Sequence, residues 1–255
     1  MYNRTLRIGL FGIDDDIAAA LEELLAPERF SFEFIRADTI DYMKAFDCSI
    51  AIAAMGSWGN APLLDISAAI HHEQDIYRGF AIVAAPEDIA SWSSSDLAMV
   101  DAIWPAPLTP ERAVFEFERM VAEAKQEAET YLARTYLNTL IDSIPAMVWF
   151  KAIDGEYLKV NNYYCDVADK PQWDVEGQLH DYIWSVPPED REKIELACKE
   201  SDDAALEAGE TVQSTEAVSS DGETRTFDAY KTPIFDEDGT VLGIVGFACE
   251  IAPEG

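Results

Sequence analysis

Cations are scarce in this chain of 255 residues: 18 lysines and arginines stand against 49 aspartates and glutamates, a formal net charge of −31. A surface this acidic repels phosphate backbones and anionic lipid, which argues against a nucleic-acid or membrane-surface partner. Cysteine is equally sparse. Cys48, Cys165, Cys198 and Cys249 lie far apart without a Cys-x-x-Cys pair, and only His71, His72 and His180 could join them as ligands. That spacing speaks against zinc and for reduced thiols, so no metal is expected. No apolar run reaches the ~18 residues of a membrane span. Met1-Tyr2-Asn3-Arg4 leads into a strand-like run with no signal-peptide pattern, so the expectation is a soluble, cytoplasmic protein. Nucleophile–base pairs, phosphate loops and metal-ligand spacings are also missing, and Gly9-x-x-Gly12 lacks the third glycine of a dinucleotide site. Intrinsic catalysis is therefore not expected.

What is present suits two modest domains. The chain is 49% hydrophobic and 26% charged, enough to bury real cores. In the first half, apolar runs at Leu6–Ile13, Phe30–Ile35, Cys48–Ala54, Phe80–Ala84 and Val100–Trp104 read as strands. Ile17–Leu25, Asp41–Ala45 and Pro62–Ile70 read as the helices between them. Strand and helix in alternation predict a doubly wound α/β domain with a five-stranded parallel sheet. A long helix starts at Thr109-Pro110-Glu111, with Thr109 as N-cap, Pro110 in the first position and an acid behind it.

In the second half, Met147–Lys151 and Tyr157–Val160 flank Ile153-Asp154-Gly155-Glu156, a hairpin signal. Pro188–Ala208 reads as a helix with an acidic start and Gly209 behind it. Thr211–Ser219, Thr224–Phe235 and Val241–Ile251 read as a three-stranded meander turning at Asp221-Gly222 and at Asp236-Glu237-Asp238-Gly239. Two strands, helices and three strands predict an α+β domain: a five-stranded antiparallel sheet with its helices on one face and a cavity between.

This second half closely resembles the PAS sensory domain. The likeness is carried by Ser143-Ile144-Pro145, Phe150-Lys151-Ala152-Ile153-Asp154-Gly155, Val160-Asn161-Asn162, Gly177 before Tyr182-Ile183-Trp184, Pro188-Glu189-Asp190-Arg191, Pro233–Gly239 and Gly243-Ile244-Val245-Gly246. The first half resembles the receiver domain of two-component response regulators, through its element order, Asp14-Asp15-Asp16, and an entry into strand three past Asp47. A phosphorylatable receiver needs an Asp ending strand three, a hydroxyl ending strand four and a Lys before the proline after strand five. Here those places read Ala54-Met55, Ala84-Ala85 and Trp104-Pro105-Ala106-Pro107, which makes the domain a pseudo-receiver. Asp14–Asp16 could hold a divalent ion; the plainer reading is a solvated loop and helix N-terminus.

The expected organisation is a pseudo-receiver at 1–121, a signalling helix at 110–140 and a PAS sensor at 140–252. In that helix Val114, Phe117, Val121, Ala124, Ala128, Tyr131 and Thr135 alternate at spacings of three and four, a weak coiled-coil seam that would pair two copies in a homodimer. The PAS resemblance implies a cavity lined by inward side chains: one of Trp149 and Phe150, some of Tyr157, Phe227, Tyr230 and Phe247, and Tyr164, His180, Tyr182 and Trp184 from the helical side. Core packing is the rival role for each aromatic. The cofactor is left open: a small organic ligand or none fits better than haem on His180 or a flavin on Cys165.

Ala248-Cys249-Glu250-Ile251-Ala252 resembles the PAS exit motif that couples to an output domain beyond residue 255. His180-Asp181-Tyr182-Ile183-Trp184 looks like PAS domains that precede GGDEF-type diguanylate cyclases. The expectation is thus a non-enzymatic signal-transduction module. The alternatives are a phospho-accepting regulator using Asp65 or Asp47, and a ligand-free interaction adaptor.

Overall fold

Apolar runs that alternate their side chains between two faces require cover on both, and the first sheet receives it. The computed structural model describes residues 4–72, 77–220 and 223–251. Its first compact unit spans Met1–Ala133 and its second Arg134–Gly255. In chain order the first holds β1 (Arg4–Phe11), α1 (Asp15–Glu22), β2 (Phe30–Ala37), α2 (Tyr42–Asp47), β3 (Ile50–Ala54), α3 (Leu63–Ile70), β4 (Gly79–Ala84), α4 (Pro86–Ile89), α5 (Ser94–Leu97) and β5 (Ala102–Pro105). The strands are parallel in the order β2-β1-β3-β4-β5. Leu6, Ile8, Leu10, Ile50 and Ile52 face a core with Ile17 and Leu21 of α1. Ala51, Ala53, Phe80 and Ile82 face the opposite core, with Ala45 of α2 and Ile66 and Ile70 of α3.

Several boundaries differ from expectation. The first helix stops at Glu22, and Leu25 beyond it is 94% exposed. The stretch between β4 and β5 carries two short helices that apolar periodicity does not signal. The second is held by a reciprocal capping box in which Ser93 and Asp96 each bond the other's backbone N–H.

α6 (Pro110–Asp142) runs from the first unit into the second. Phe117, Met120, Val121 and Ala124 pack into the core that β1 and α1 share, so sheet packing runs further along α6 than the expected boundary at 121. Of the expected seam, Ala128 is also buried, while Tyr131 and Thr135 are exposed. Among the described residues no helix is long and apolar enough to cross a membrane.

The second unit holds β6 (Met147–Ala152), β7 (Tyr157–Val160), α7 (Asn162–Ala168), α8 (Gln172–Val175), α9 (His180–Ile183), α10 (Arg191–Ala208), β8 (Val212–Ser220), β9 (Glu223–Phe235) and β10 (Val241–Glu250). Its sheet is antiparallel throughout, in the order β7-β6-β10-β9-β8. α10 begins at Arg191, three residues inside the expected start, and Gly209 ends it in the left-handed conformation (φ 66°) that suits glycine. The expected turn at Asp221-Gly222 lies outside the described residues. Met147, Trp149, Ile244, Ala248, Phe227 and Ala229 share the inner face, and Trp149 lies across Gly246 on the neighbouring strand. A Cβ at Gly246 would stand 2.0 Å from the indole, so the close crossing needs glycine there.

The start of this unit is pinned by Asn161, which is fully buried. Its Oδ1 accepts from Val148 N and Tyr164 N, both at 3.0 Å, and its Nδ2 donates to Ile141 O and Ala146 O, both at 2.9 Å. One side chain thus ties the last turn of α6 to β6 and to the start of α7.

Candidate functional site

Beneath α10 the inner face of the second sheet turns from aromatic to ionic. A cavity of about 480 Å³ opens there, between the β6–β7 turn, α9 and α10. Ile153, Leu179, Ile194, Leu206 and Ile244 supply apolar wall, and Lys151, His180 and Asp202 supply the polar end. Lys151 follows Trp149 by two residues on β6, and Lys231 follows Ala229 by two on β9, so strand alternation sends both lysines inward.

A charge so placed must be paired. Asp202 of α10 meets Lys151 Nζ through Oδ2 and lies 3.0 Å from Lys231 Nζ through Oδ1. Lys231 also donates to Ser201 Oγ at 2.6 Å and pairs with Glu216 at 2.7 Å. Burial alone would depress the Lys231 pKa, but the attraction of Glu216 and Asp202 outweighs it and leaves the ammonium favoured.

His180 sits beside this cluster, with Nδ1 3.1 Å from the Tyr157 hydroxyl. Burial, reinforced by the Lys151 charge, lowers its pKa to about 4, so at neutral pH it is an uncharged imidazole. Burial pushes the Tyr157 phenol the other way, well above its ordinary value, and the hydroxyl keeps its proton. The polar end therefore presents an ammonium and a neutral imidazole beside apolar walls.

The ten residues named as candidate lining divide into four groups. His180 lines the cavity. Trp149, Tyr157, Tyr164, Trp184 and Phe227 form the neighbouring buried core, with ring centroids 5.5–6.1 Å apart for the Trp149–Tyr164, Tyr157–Tyr164 and Tyr164–Trp184 pairs. Phe150, Tyr230 and Phe247 are the correction: they lie on the opposite face, where Tyr230 and Phe247 are cross-strand neighbours with centroids 6.1 Å apart. Once Trp149 points inward, alternation sends Phe150 outward, and the β6–β10–β9 register carries Phe247 and Tyr230 with it. Tyr182 is 47% exposed and bonds Asp174. Sequence reasoning passed over Lys151, Lys231 and Asp202, although each lysine stands two residues from an apolar inward position.

Among the described residues the first sheet has no comparable site at its C-terminal edge. β3 ends at Ala54, β4 at Ala84 and β5 at Pro105. Lys44, the one lysine in the sequence before residue 110, donates to Thr39 O at 2.8 Å and lies 3.6 Å from Asp41. Asp15 pairs with Arg36, and the Asp16 carboxylate accepts from Ile17 N. Asp47 ends α2 and Asp65 lies in the first turn of α3, both exposed. Ser67, His71 and Asp101 adjoin, but each is already engaged. Ser67 Oγ donates to Met99 O at 2.6 Å, while the two ring nitrogens of His71 face Ser67 O and Asp101 Oδ2, each at 2.9 Å. The Asp101 carboxylate raises the His71 pKa. This is a tie between α3 and β5's approach. Among the described residues no group of three or more His, Cys, Asp or Glu side chains could hold a metal ion.

Among curated proteins no sequence matches this chain. Similar solved structures include the PAS domain of BvgS from Bordetella pertussis, at 24% identity over 47% of this chain and 87% of that one, TM-score 0.40. A PAS domain from Colwellia psychrerythraea matches at 15% identity over 48% and 99%, TM-score 0.40. The VqmA dimer of Vibrio cholerae, described in the absence of its target DNA, matches at 18% identity over 45% and 49%, TM-score 0.38. The family described as PAS fold matches residues 141–254. Residues 141–254 are a PAS domain, and the chain therefore carries a signal-sensing regulatory module.

Proposed function

We propose that the chain is a non-enzymatic signal-transduction module in which the PAS cavity takes up a small organic molecule and α6 passes the resulting state to an output. The carrying observation is the 480 Å³ cavity, walled by apolar side chains and closed at one end by Lys151 and His180. A packed adaptor core would have no use for such a space. Asn161 supplies the link, since it bonds both the sheet and the last turn of α6.

Dimerisation through the second half of α6 belongs to the same proposal. Tyr136, Leu137 and Leu140 are 64%, 38% and 61% exposed at spacings of three and four. These residues, rather than Tyr131 and Thr135, are the better candidates for a helix–helix seam. The first unit acts as a pseudo-receiver, by shape and pairing, with Ala54 and Ala84 where phosphoryl chemistry would need an acid and a hydroxyl. The output is a GGDEF-type diguanylate cyclase domain beyond residue 255, or a separate partner. With a net charge of −31 the chain itself is not proposed to touch nucleic acid.

Solvent extraction of the purified full chain, analysed by mass spectrometry, together with sedimentation equilibrium, tests the reading. A dimer from which a stoichiometric small molecule is extracted, or to which one can be restored, is expected. A monomer that neither carries nor accepts any small molecule would contradict it and favour the adaptor.

A further inference from the structure

The cavity's ionic end is unevenly filled. An ammonium has three N–H donors. On Lys231 one meets Ser201 Oγ, and Glu216 and Asp202 lie 2.7 and 3.0 Å away as ion-pair partners. Lys151, only 7% exposed, donates to Asp202 and has no other hydrogen-bond partner among the described residues, although its Nζ lies 5.6 Å from the Tyr157 ring centroid. Two donors of a buried, cavity-lining ammonium are therefore spare. His180 adds a third position, since Nδ1 is engaged with Tyr157 and Nε2 is left.

Charge leans the same way. Among the described residues that are nine-tenths or more buried, Lys151 and Lys231 are the cations and Asp202 the anion, at 7%, 4% and 9% exposure. Glu216 helps, but its side chain is 30% exposed and partly screened by water. Asp154 and Asp203 at the cavity wall are exposed, and Asp181 lies 3.4 Å from Arg191. With Glu216 the cluster formally balances, two cations against two carboxylates, but Glu216 sits by Lys231, so the Lys151 side of the cavity keeps donors for an anion while the walls are apolar.

We propose that the cavity takes a small carboxylate with an apolar body, whose oxygens accept from Lys151 and His180 while its hydrocarbon lies against Ile153, Ile194, Leu206 and Ile244. This rests on the reading of the PAS unit as a ligand sensor and names the class of ligand. It also supplies a lever. Asp202 now holds α10 to both β6 and β9, and a ligand carboxylate competes with it for Lys151, leaving the helix tied through Lys231.

The test is titration calorimetry of the full chain at pH 7 with 4-methylpentanoate, benzoate and phenylacetate against their primary amides. Expected is binding of at least one acid, with its amide at least ~10-fold weaker, and a loss of about 10- to 100-fold in Lys151→Gln, the worth of a charge-assisted hydrogen bond. Asp202→Asn, which removes the competitor, tightens binding of the same acid. Ile194→Trp fills the cavity, leaves the ionic cluster intact and abolishes binding, which guards against a Lys151 variant that fails to fold. Amides that bind as well as acids, or acid binding unchanged in Lys151→Gln, would overturn the carboxylate while leaving the sensor standing. Failure of every probe, with nothing extracted from the chain, would bring down the sensor reading and the carboxylate with it.

Discussion

In the first unit, side chains packed on both faces of the sheet are hydrocarbon: Leu6, Ile8 and Ile52 on one side, Phe80, Ile82 and Ala53 on the other. In the PAS unit the inner face carries Lys151 and Lys231 beside Trp149 and Phe227, and a helix supplies Asp202 to hold them. The parallel sheet is covered by helices on both faces and spends its edge on alanines. The antiparallel sheet keeps ions under a helix, at a cost in desolvation that hydrocarbon would not incur. An arrangement that forgoes the cheaper hydrophobic packing at one spot, and leaves a cavity there, marks the spot where binding is to be sought.

The sharpest way to break this contrast is to remove Asp202. Asp202→Ala strands the buried Lys151 ammonium and leaves Lys231 to Glu216 and Ser201, and a cost of about 3–5 kcal/mol is expected in urea unfolding of the second unit, with the first unit unaffected. A cost below ~1 kcal/mol would mean that water already reaches the cluster and that the two sheets differ less than stated.

Acid separates the units next, through two histidines of opposite sign. The unfolded chain takes up a proton at His180 near pH 6.5, while the folded PAS unit refuses it until about 4. Stability from His180 is therefore complete above 6.5 and falls as pH drops toward 4, by about 2–3 kcal/mol after allowance for partial exposure. His71, raised by Asp101, behaves oppositely: its contribution is whole below 6.5 and is lost as pH rises through the higher folded value. Hydrogen exchange resolved by unit, in wild type, His180→Gln and His71→Gln, checks both slopes. Parallel slopes in the two units would refute the assignment.

A smaller effect is expected from Gly246→Ala. Its methyl group meets the Trp149 indole and displaces it, costing about 1–3 kcal/mol. Near-ultraviolet circular dichroism should report the moved indole.

The smallest expected effect is none. Incubation with labelled acetyl phosphate leaves the first unit without acid-labile label, since Ala54 and Ala84 offer no nucleophile or hydroxyl. A label on Asp65 or Asp47 would restore the phospho-accepting alternative.

The sequence revealed the sheets more readily than the site, for a physical reason. Asp154-Gly155 fixes a hairpin through local turn chemistry, and the apolar run at Ile50–Ala54 marks a strand covered on both sides, so both signals lie within a few adjacent residues. The cavity joins Lys151, His180 and Asp202 from distant segments, with Lys231 behind them on Asp202, and a lysine in a strand ordinarily reads as solvent-facing. Adjacent aromatics at Trp149 and Phe150 leave the strand's phase open in the sequence; Trp149 turns inward, and the register then puts Phe150, Tyr230 and Phe247 on the outer face. Lys231, two residues beyond Ala229 and four beyond Phe227, held the missing signal: a charge in phase with buried neighbours.

Native mass spectrometry of the intact chain beside its Ile194→Trp variant, each after exposure to the same extract of small metabolites, tests the central claim most directly. A bound small molecule retained by the wild type and absent from the filled variant is predicted. Equal binding by both, or binding by neither, would place the input somewhere other than the PAS cavity.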